Sequence, residues 1–435
     1  MRTERVLSEV KKPLSLLLAF AGALGGVGCD VGGTLTAEER AELQQMALKP
    51  LPPSPSNAFA DNPAAAELGQ QFFYDKRFSG PLVEGSDPAN GGLGPAGTPG
   101  TIACVTCHDP AKGGADQRNG PTSLAAAWTG RNTPTVINAA HSNWMFWDGR
   151  KDTLWSQALG PVESSKEHNT TRMQIVHLIY DKYRQPYEAI FGPMPPLSDT
   201  TRFPTEGRPG MSSFEAMGEQ DRIAVNRVFS NFGKSIEAYE RRLVDKSSAF
   251  DRFLQGNETA MSAEAIRGAK LFIGKAGCTE CHSGPMLADG GFHNHGVPQR
   301  GAKVPSIDEG RYRGIPDVVG DEFNANGQYS DAKMDRLNGL KQLQTDLGSF
   351  KTPTLRNVSK TSPYMHTGAF ATLWDVMAWY NEAAGADGFV GTREAASLVP
   401  LKLGKEDLND VVEFMKALEG DPLPAALTSA PVLPQ

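Results

Sequence analysis

The chain has 435 residues, 39% of them hydrophobic, enough to bury the cores of two or three ordinary domains. Its 43 basic and 50 acidic residues leave a net charge of −7, which gives no sign of the basic face that nucleic-acid binding needs. Aromatic and charged fractions of 8% and 21% are those of a soluble globular protein.

In chain order, the first element is an export signal. Arg2, Arg5, Lys11 and Lys12 form a basic start, and residues 14–28 are an apolar stretch too short to span a bilayer comfortably. Small residues then lead to Cys29, as in a lipoprotein signal whose cysteine is lipidated. Gly26 stands where that signal usually has leucine, so ordinary cleavage is the alternative. Residues 1–29 are therefore set aside as signal, the mature chain is expected outside the cytoplasm, in the periplasm, and a lipid on Cys29 is the only membrane attachment expected.

Residues 30–60 read as a tether. Thr36-Ala-Glu-Glu39 is a capping box for a short helix, and 49–57 is too rich in proline for regular structure. Asn62-Pro63 then pairs an N-cap with proline at the first helical position, and Leu68 and Phe72 share a face of that helix. Helical spacing recurs over 221–244 through Ile223, Val228, Phe232, Ile236 and Tyr239, and a further helix spans 262–272. Thr372-x-x-Asp375 caps a helix whose inward face is Leu373, Val376, Met377 and Tyr380. The last helix, 405–419, aligns Leu408, Val411, Val412, Met415 and Leu418. Glycine, proline and asparagine are dense through 80–135 and 283–330, which predicts long loops. The expected fold is mainly α with little β.

Of the five cysteines, four fall into Cys104-Val-Thr-Cys107-His108 and Cys278-Thr-Glu-Cys281-His282. Cys-x-x-Cys-His is the attachment signal of c-type haem. Two redox disulfides are the alternative, and they leave both histidines unexplained. Each thiol pair is expected to bind a haem through thioethers, with His108 and His282 as iron ligands. The motifs lie 174 residues apart (278 − 104), which predicts two cytochrome c-like haem domains, over 61–245 and 246–435. What each haem does depends on its sixth position: two strong ligands make an electron-transfer centre, an open site gives a place for peroxide or oxygen to bind.

From about Leu68 to Glu419 the chain resembles the bacterial dihaem cytochrome c peroxidases and the related MauG enzymes. The resemblance is carried by residues 68–80 (LGQQFFYDKRFSG), 131–138 (RNTPTVIN), 146–150 (FWDGR), 157–161 (QALGP), 352–357 (TPTLRN) and 363–368 (PYMHTG). It implies that peroxide binds at the first haem. The family's distal Gln and Glu, ten residues apart, match Gln157 and Glu167, and its distal proline matches Pro161. A carboxylate there can move a proton between the peroxide oxygens; a solvated charge in the 164–168 loop is the alternative for Glu167. Trp147 matches the electron-relay tryptophan between the haems, or packs as core beside Phe146. The distal histidine of many peroxidases falls near Leu124 and is missing here, which implies a permanently open first haem, as in MauG.

The peroxidases place a methionine ligand fourteen residues after the histidine of Pro-Tyr-x-His. Counted from His366, that position is Tyr380, as in MauG. The alternatives are a buried tyrosine bonded to a propionate, with Met377 or Met365 as fallback ligands. His366 is expected to bond a haem propionate. The family's calcium ion would be held by Asn132 through its side chain and by Thr361 and Pro363 through carbonyls, hard ligands that suit it. His168, His177, His293 and His295 have no assigned role, and a metal site at His293-Asn-His295 is a minor alternative.

The resemblance implies an enzyme that uses hydrogen peroxide and stores two oxidising equivalents across both haems to oxidise tryptophan or tyrosine on a partner protein, the methanobactin-associated group being one subtype. MauG's tryptophan before the second motif is absent, since Ala276 and Gly277 stand there. An ordinary cytochrome c peroxidase with a small electron-donor protein is the second reading. A non-enzymatic dihaem electron-transfer cytochrome is the third.

Overall fold

The computed structural model describes residues 34–85, 92–118, 120–383, 388–394 and 398–435. The signal and Cys29 lie outside the described residues. Helix α1, Ala37–Gln44, opens on the Thr36–Glu39 capping box. Helix α2, Pro63–Tyr74, opens on Asn62, whose side chain accepts from the N–H groups of Ala64 and Ala65. The other helices that position the site are α3, Leu154–Glu163; α4, Glu219–Glu240; α5, Ala263–Ile273; α6, Arg311–Val319; α7, Leu373–Asn381; and α8, Lys405–Ala417. The described residues hold one sheet of two strands, β1, Phe292–His293, antiparallel to β2, Phe350–Lys351. The chain is mainly α, and α6 lies inside the loop expected over 283–330.

Each half is built around a close helix crossing. In the first, Leu68, Phe72 and Phe73 of α2 meet Phe229, Phe232 and Ile236 of α4 in one core. Gly69 makes this possible: a Cβ there would lie 1.8 Å from the Ser235 carbonyl oxygen. In the second, Ala265, Ala269 and Phe272 of α5 pack against Val411, Phe414 and Met415 of α8, and a Cβ on Gly268 would lie 1.9 Å from the Asp410 oxygen. All five residues assigned to the inward face of the last helix are buried.

From residue 34 onward, the tether expected over 30–60 is a packed strap. Leu43 and Met46 are buried in the second core, and Arg356 donates to the Met46 carbonyl at 2.8 Å. Ser56 accepts the Trp155 indole N–H at 3.2 Å, and Asn57 donates to the Lys234 carbonyl at 3.1 Å, both in the first half. Proline removes N–H donors and so excludes a helix, but it leaves rings and carbonyls free to pack.

A repeat ties the halves together. Thr-Pro-Thr-x-x-Asn occurs at 133–138 and at 352–357, 219 residues later (352 − 133). The following backbone repeats at that offset. Asn138 and Asn357 share φ 61°, Phe146 and Met365 have 64° and 70°, and Gly149 and Gly368 have 66° and 64°. Thr153 and Thr372 then cap α3 and α7. At this offset Pro161 and Tyr380 occupy equivalent positions. Both asparagines bond Asp245: Asn138 donates to its carbonyl at 3.0 Å and Asn357 to its carboxylate at 2.8 Å.

Candidate haem sites

A turn of helix, Cys104–Cys107, carries the first motif. His108 ends it, with Nδ1 3.3 Å from the Gly114 carbonyl. With the proton on Nδ1 donated to that carbonyl, Nε2 holds the lone pair an iron needs. His282 repeats the arrangement with the Leu287 carbonyl at 2.8 Å. Burial lowers the pKa of both imidazoles and so keeps them in the neutral, ligating form. It pushes the Cys104 thiol up, and Cys107 and Cys278 up to about 12. None of these four cysteines is in a disulfide.

His108 opens on a cavity of about 660 Å³, within the range that holds cofactors. Gln157 and Glu167 line it. Gln157 comes from α3, started by the Thr153 cap; Glu167 comes from the turn beyond α3, where its backbone accepts from Ala126 at 3.0 Å. Pro161 lies on α3 one turn after Gln157 and is not among the cavity's lining residues. Leu124 is buried.

His282 opens on a second, narrower cavity of about 60 Å³. Its fit to a haem rests on its donors, because Cys281, His282 and Tyr380 line the same space. Burial, then the neighbouring Cys281 and Cys278 sulfurs, raise the Tyr380 pKa. The Tyr380 hydroxyl lies 3.0 Å from His295 Nδ1. Met365 lines both cavities, while Met377 is buried in the second core.

The wall between the cavities is shared by Trp147, Asp308, Lys351, Pro353 and Met365. Trp147 donates its indole N–H to the Asn132 carbonyl at 2.8 Å and meets His366 edge-on at 6.2 Å. His366 stacks on Phe350 at 3.6 Å, and its Nε2 is 3.1 Å from the Gln299 amide oxygen. Burial lowers its pKa to about 3. Asn132 and Pro363 are in direct contact, the Asn132 amide nitrogen donating to the Pro363 carbonyl. Thr361 lines the first cavity beside them.

Sequence reasoning gave no role to several residues of this wall. Arg131 forks onto Asp308 at 2.6 and 2.7 Å and reaches Asp148 at 2.5 Å, which locks the two halves across the cavities. The ammonium of Lys351 is lowered to about 8 by burial, so a carboxylate entering either cavity would relieve it. Its neighbours in the Thr-Pro-Thr repeat were the available signal. Cys281 Sγ and ring nitrogens of His293 and His295 lie within 4.8 Å of one another. Cys281 is the second cysteine of the haem motif, and a thioether there would leave no thiolate for a separate metal.

Two thiol–imidazole centres and a shared tryptophan wall define a dihaem c-type cytochrome with one roomy, acid-lined haem site. Residues 63–259 match the model of the di-haem cytochrome c peroxidase family. The chain is 31% identical to cytochrome-c peroxidase IdrP2 of Pseudomonas sp. (strain SCT), covering 92% of each chain. It is 28% identical to the methylamine utilization protein MauG of Methylophilus methylotrophus, over 85% of this chain and 86% of that one. The fold matches a solved MauG-like protein associated with microbial copper homeostasis, with TM-score 0.58 and 24% identity over 88% of this chain and 97% of that one. The chain belongs to the di-haem cytochrome c peroxidase family and is an oxidoreductase acting on peroxide.

Proposed function

We propose that the enzyme is of the MauG kind: both oxidising equivalents of one peroxide are retained across the two haems and spent on tryptophan or tyrosine of an exported partner protein. The observation that carries this is Tyr380, whose phenol shares the second cavity with His282. An anionic oxygen ligand favours oxidised iron, where a methionine sulfur would favour reduced iron. The absence of histidine near Leu124 supports a first haem open to peroxide without prior reduction. Bound haem would supply the iron that takes peroxide and the orbitals that hold the oxidising equivalents.

The chain supplies the rest. His108 and His282 would hold the irons through Nε2, and Lys351 would neutralise a propionate. Glu167 would take the proton from the inner peroxide oxygen and return it to the outer one, which then leaves as water. Gln157 would orient the peroxide, and Pro161, at the repeat position that Tyr380 holds in the second half, would offer no ligand atom to the first haem. Trp147, on the wall common to both cavities, would carry electrons between them. A half-turn of the Asn132 amide would set its oxygen beside the Pro363 carbonyl, an arrangement that needs a cation such as calcium between them. Export to the periplasm by the 1–29 signal, with or without a lipid on Cys29, completes the reading.

Low-temperature EPR of the oxidised protein tests it. One high-spin and one low-spin signal, both lost on one equivalent of hydrogen peroxide, is the expected result. Two low-spin signals unmoved until the protein is half-reduced would replace this reading with a peroxidase fed by a small electron-donor protein.

A further inference from the structure

His295 has no part in the reading so far, yet it is held firmly. It follows β1 by two residues. Before it, Asn294 is buried and donates to the carbonyls of Leu347 at 3.1 Å and Val390 at 2.7 Å. After it, Gly296 turns with φ 66°, and Arg393 donates to the His295 carbonyl at 3.1 Å. The imidazole thus projects from a segment braced on both sides. Its ring stands at 88° to the Tyr380 ring, with centroids 5.8 Å apart and Nδ1 3.0 Å from the hydroxyl. His295 Nε2 is buried without a partner. Among the described residues the Tyr380 hydroxyl has no other hydrogen bond.

We propose that His295 is a positioning residue for the second haem: its Nδ1 holds the Tyr380 oxygen and sets how strongly that oxygen binds iron. The inference rests on Tyr380 being the sixth ligand. A tyrosine oxygen on iron has lost its proton, so the bridging hydrogen must then come from His295 Nδ1–H. That bond draws negative charge from the oxygen, weakens its preference for ferric iron and so raises the reduction potential. It also fixes the direction of the remaining lone pairs, as hydrogen bonds to metal ligands do.

The test uses the full haem-loaded chain with His295→Leu, His295→Gln and Tyr380→Phe, reading ferric EPR and the reduction potential of the second haem. In Tyr380→Phe the parent low-spin signal is expected to be lost. In His295→Leu that signal is expected to shift, and the reduction equilibrium to move at least tenfold toward ferric, about 59 mV for one electron. His295→Gln, which keeps an N–H donor, is expected to recover part of the shift. The proposal is overturned if His295→Leu matches the parent in both readouts while Tyr380→Phe loses its signal. If instead Tyr380→Phe matches the parent, the ligand reading has failed and this inference falls with it. Loss of the low-spin signal in His295→Leu alone would make histidine the ligand and overturn both.

Discussion

At the scale of single residues, the first cavity sets the Glu167 carboxylate in the space that His108 opens on, where the proposed function has peroxide bind. Glu167→Gln should slow the reaction with peroxide by about 10²–10⁴-fold while leaving haem content unchanged. Stopped-flow absorbance checks it, and an unaltered rate would make Glu167 a bystander. A second acid in the same cavity behaves differently. Glu240 is buried, its Oε2 lacks a partner, and burial, then Glu237, push its carboxyl from 4.5 up to about 8. The folded state therefore binds this proton more tightly than the unfolded one. The stability it contributes is full below pH 4.5 and is lost as pH rises toward 8. Glu240→Gln should flatten that fall, read as urea midpoints from pH 5 to 9; parallel curves for parent and variant would refute it.

Among elements, the two helix crossings depend on glycine. Gly69→Ala and Gly268→Ala should each destabilise by about 1–3 kcal/mol, because the methyl would meet backbone oxygen that cannot rotate away. Equilibrium denaturation measures it, and a loss below a few tenths would mean the helices slide apart freely. Much at this scale was legible. The capping boxes at Thr36 and Thr372 start helices where expected, because capping is satisfied within one turn of chain. The α6 helix was not legible: Gly310 precedes it and Pro316 sits inside it, both breakers by local rules, and it is held by the close packing of Gly314 on the Asp148 backbone.

For the whole molecule, Asp245 and the Arg131 network join two similar halves. Asp245→Ala would leave the buried Asn357 amide without its partner and cost about 1–3 kcal/mol. Calcium removal is expected to act on the same junction. A strong chelator should slow electron equilibration between the haems and leave both covalently attached, as read by rapid-mixing absorbance; no change would remove calcium from the Asn132–Pro363 contact. The strap belongs to this scale as well. Proline content marked 49–57 as irregular, but nothing local could show that Ser56 and Asn57 bond one half while Met46 bonds the other.

The sequence by itself determined the haem chemistry, because Cys-x-x-Cys-His holds its reacting groups within five residues. It also determined the mainly helical fold, whose hydrogen bonds are local. The resemblance already implied Trp147 between the haems; the tertiary structure alone decided that Arg131 forks onto Asp308 and that His295 meets Tyr380 across 85 residues of chain. Such contacts are formed by packing between distant segments, and no local pattern of residue types records them.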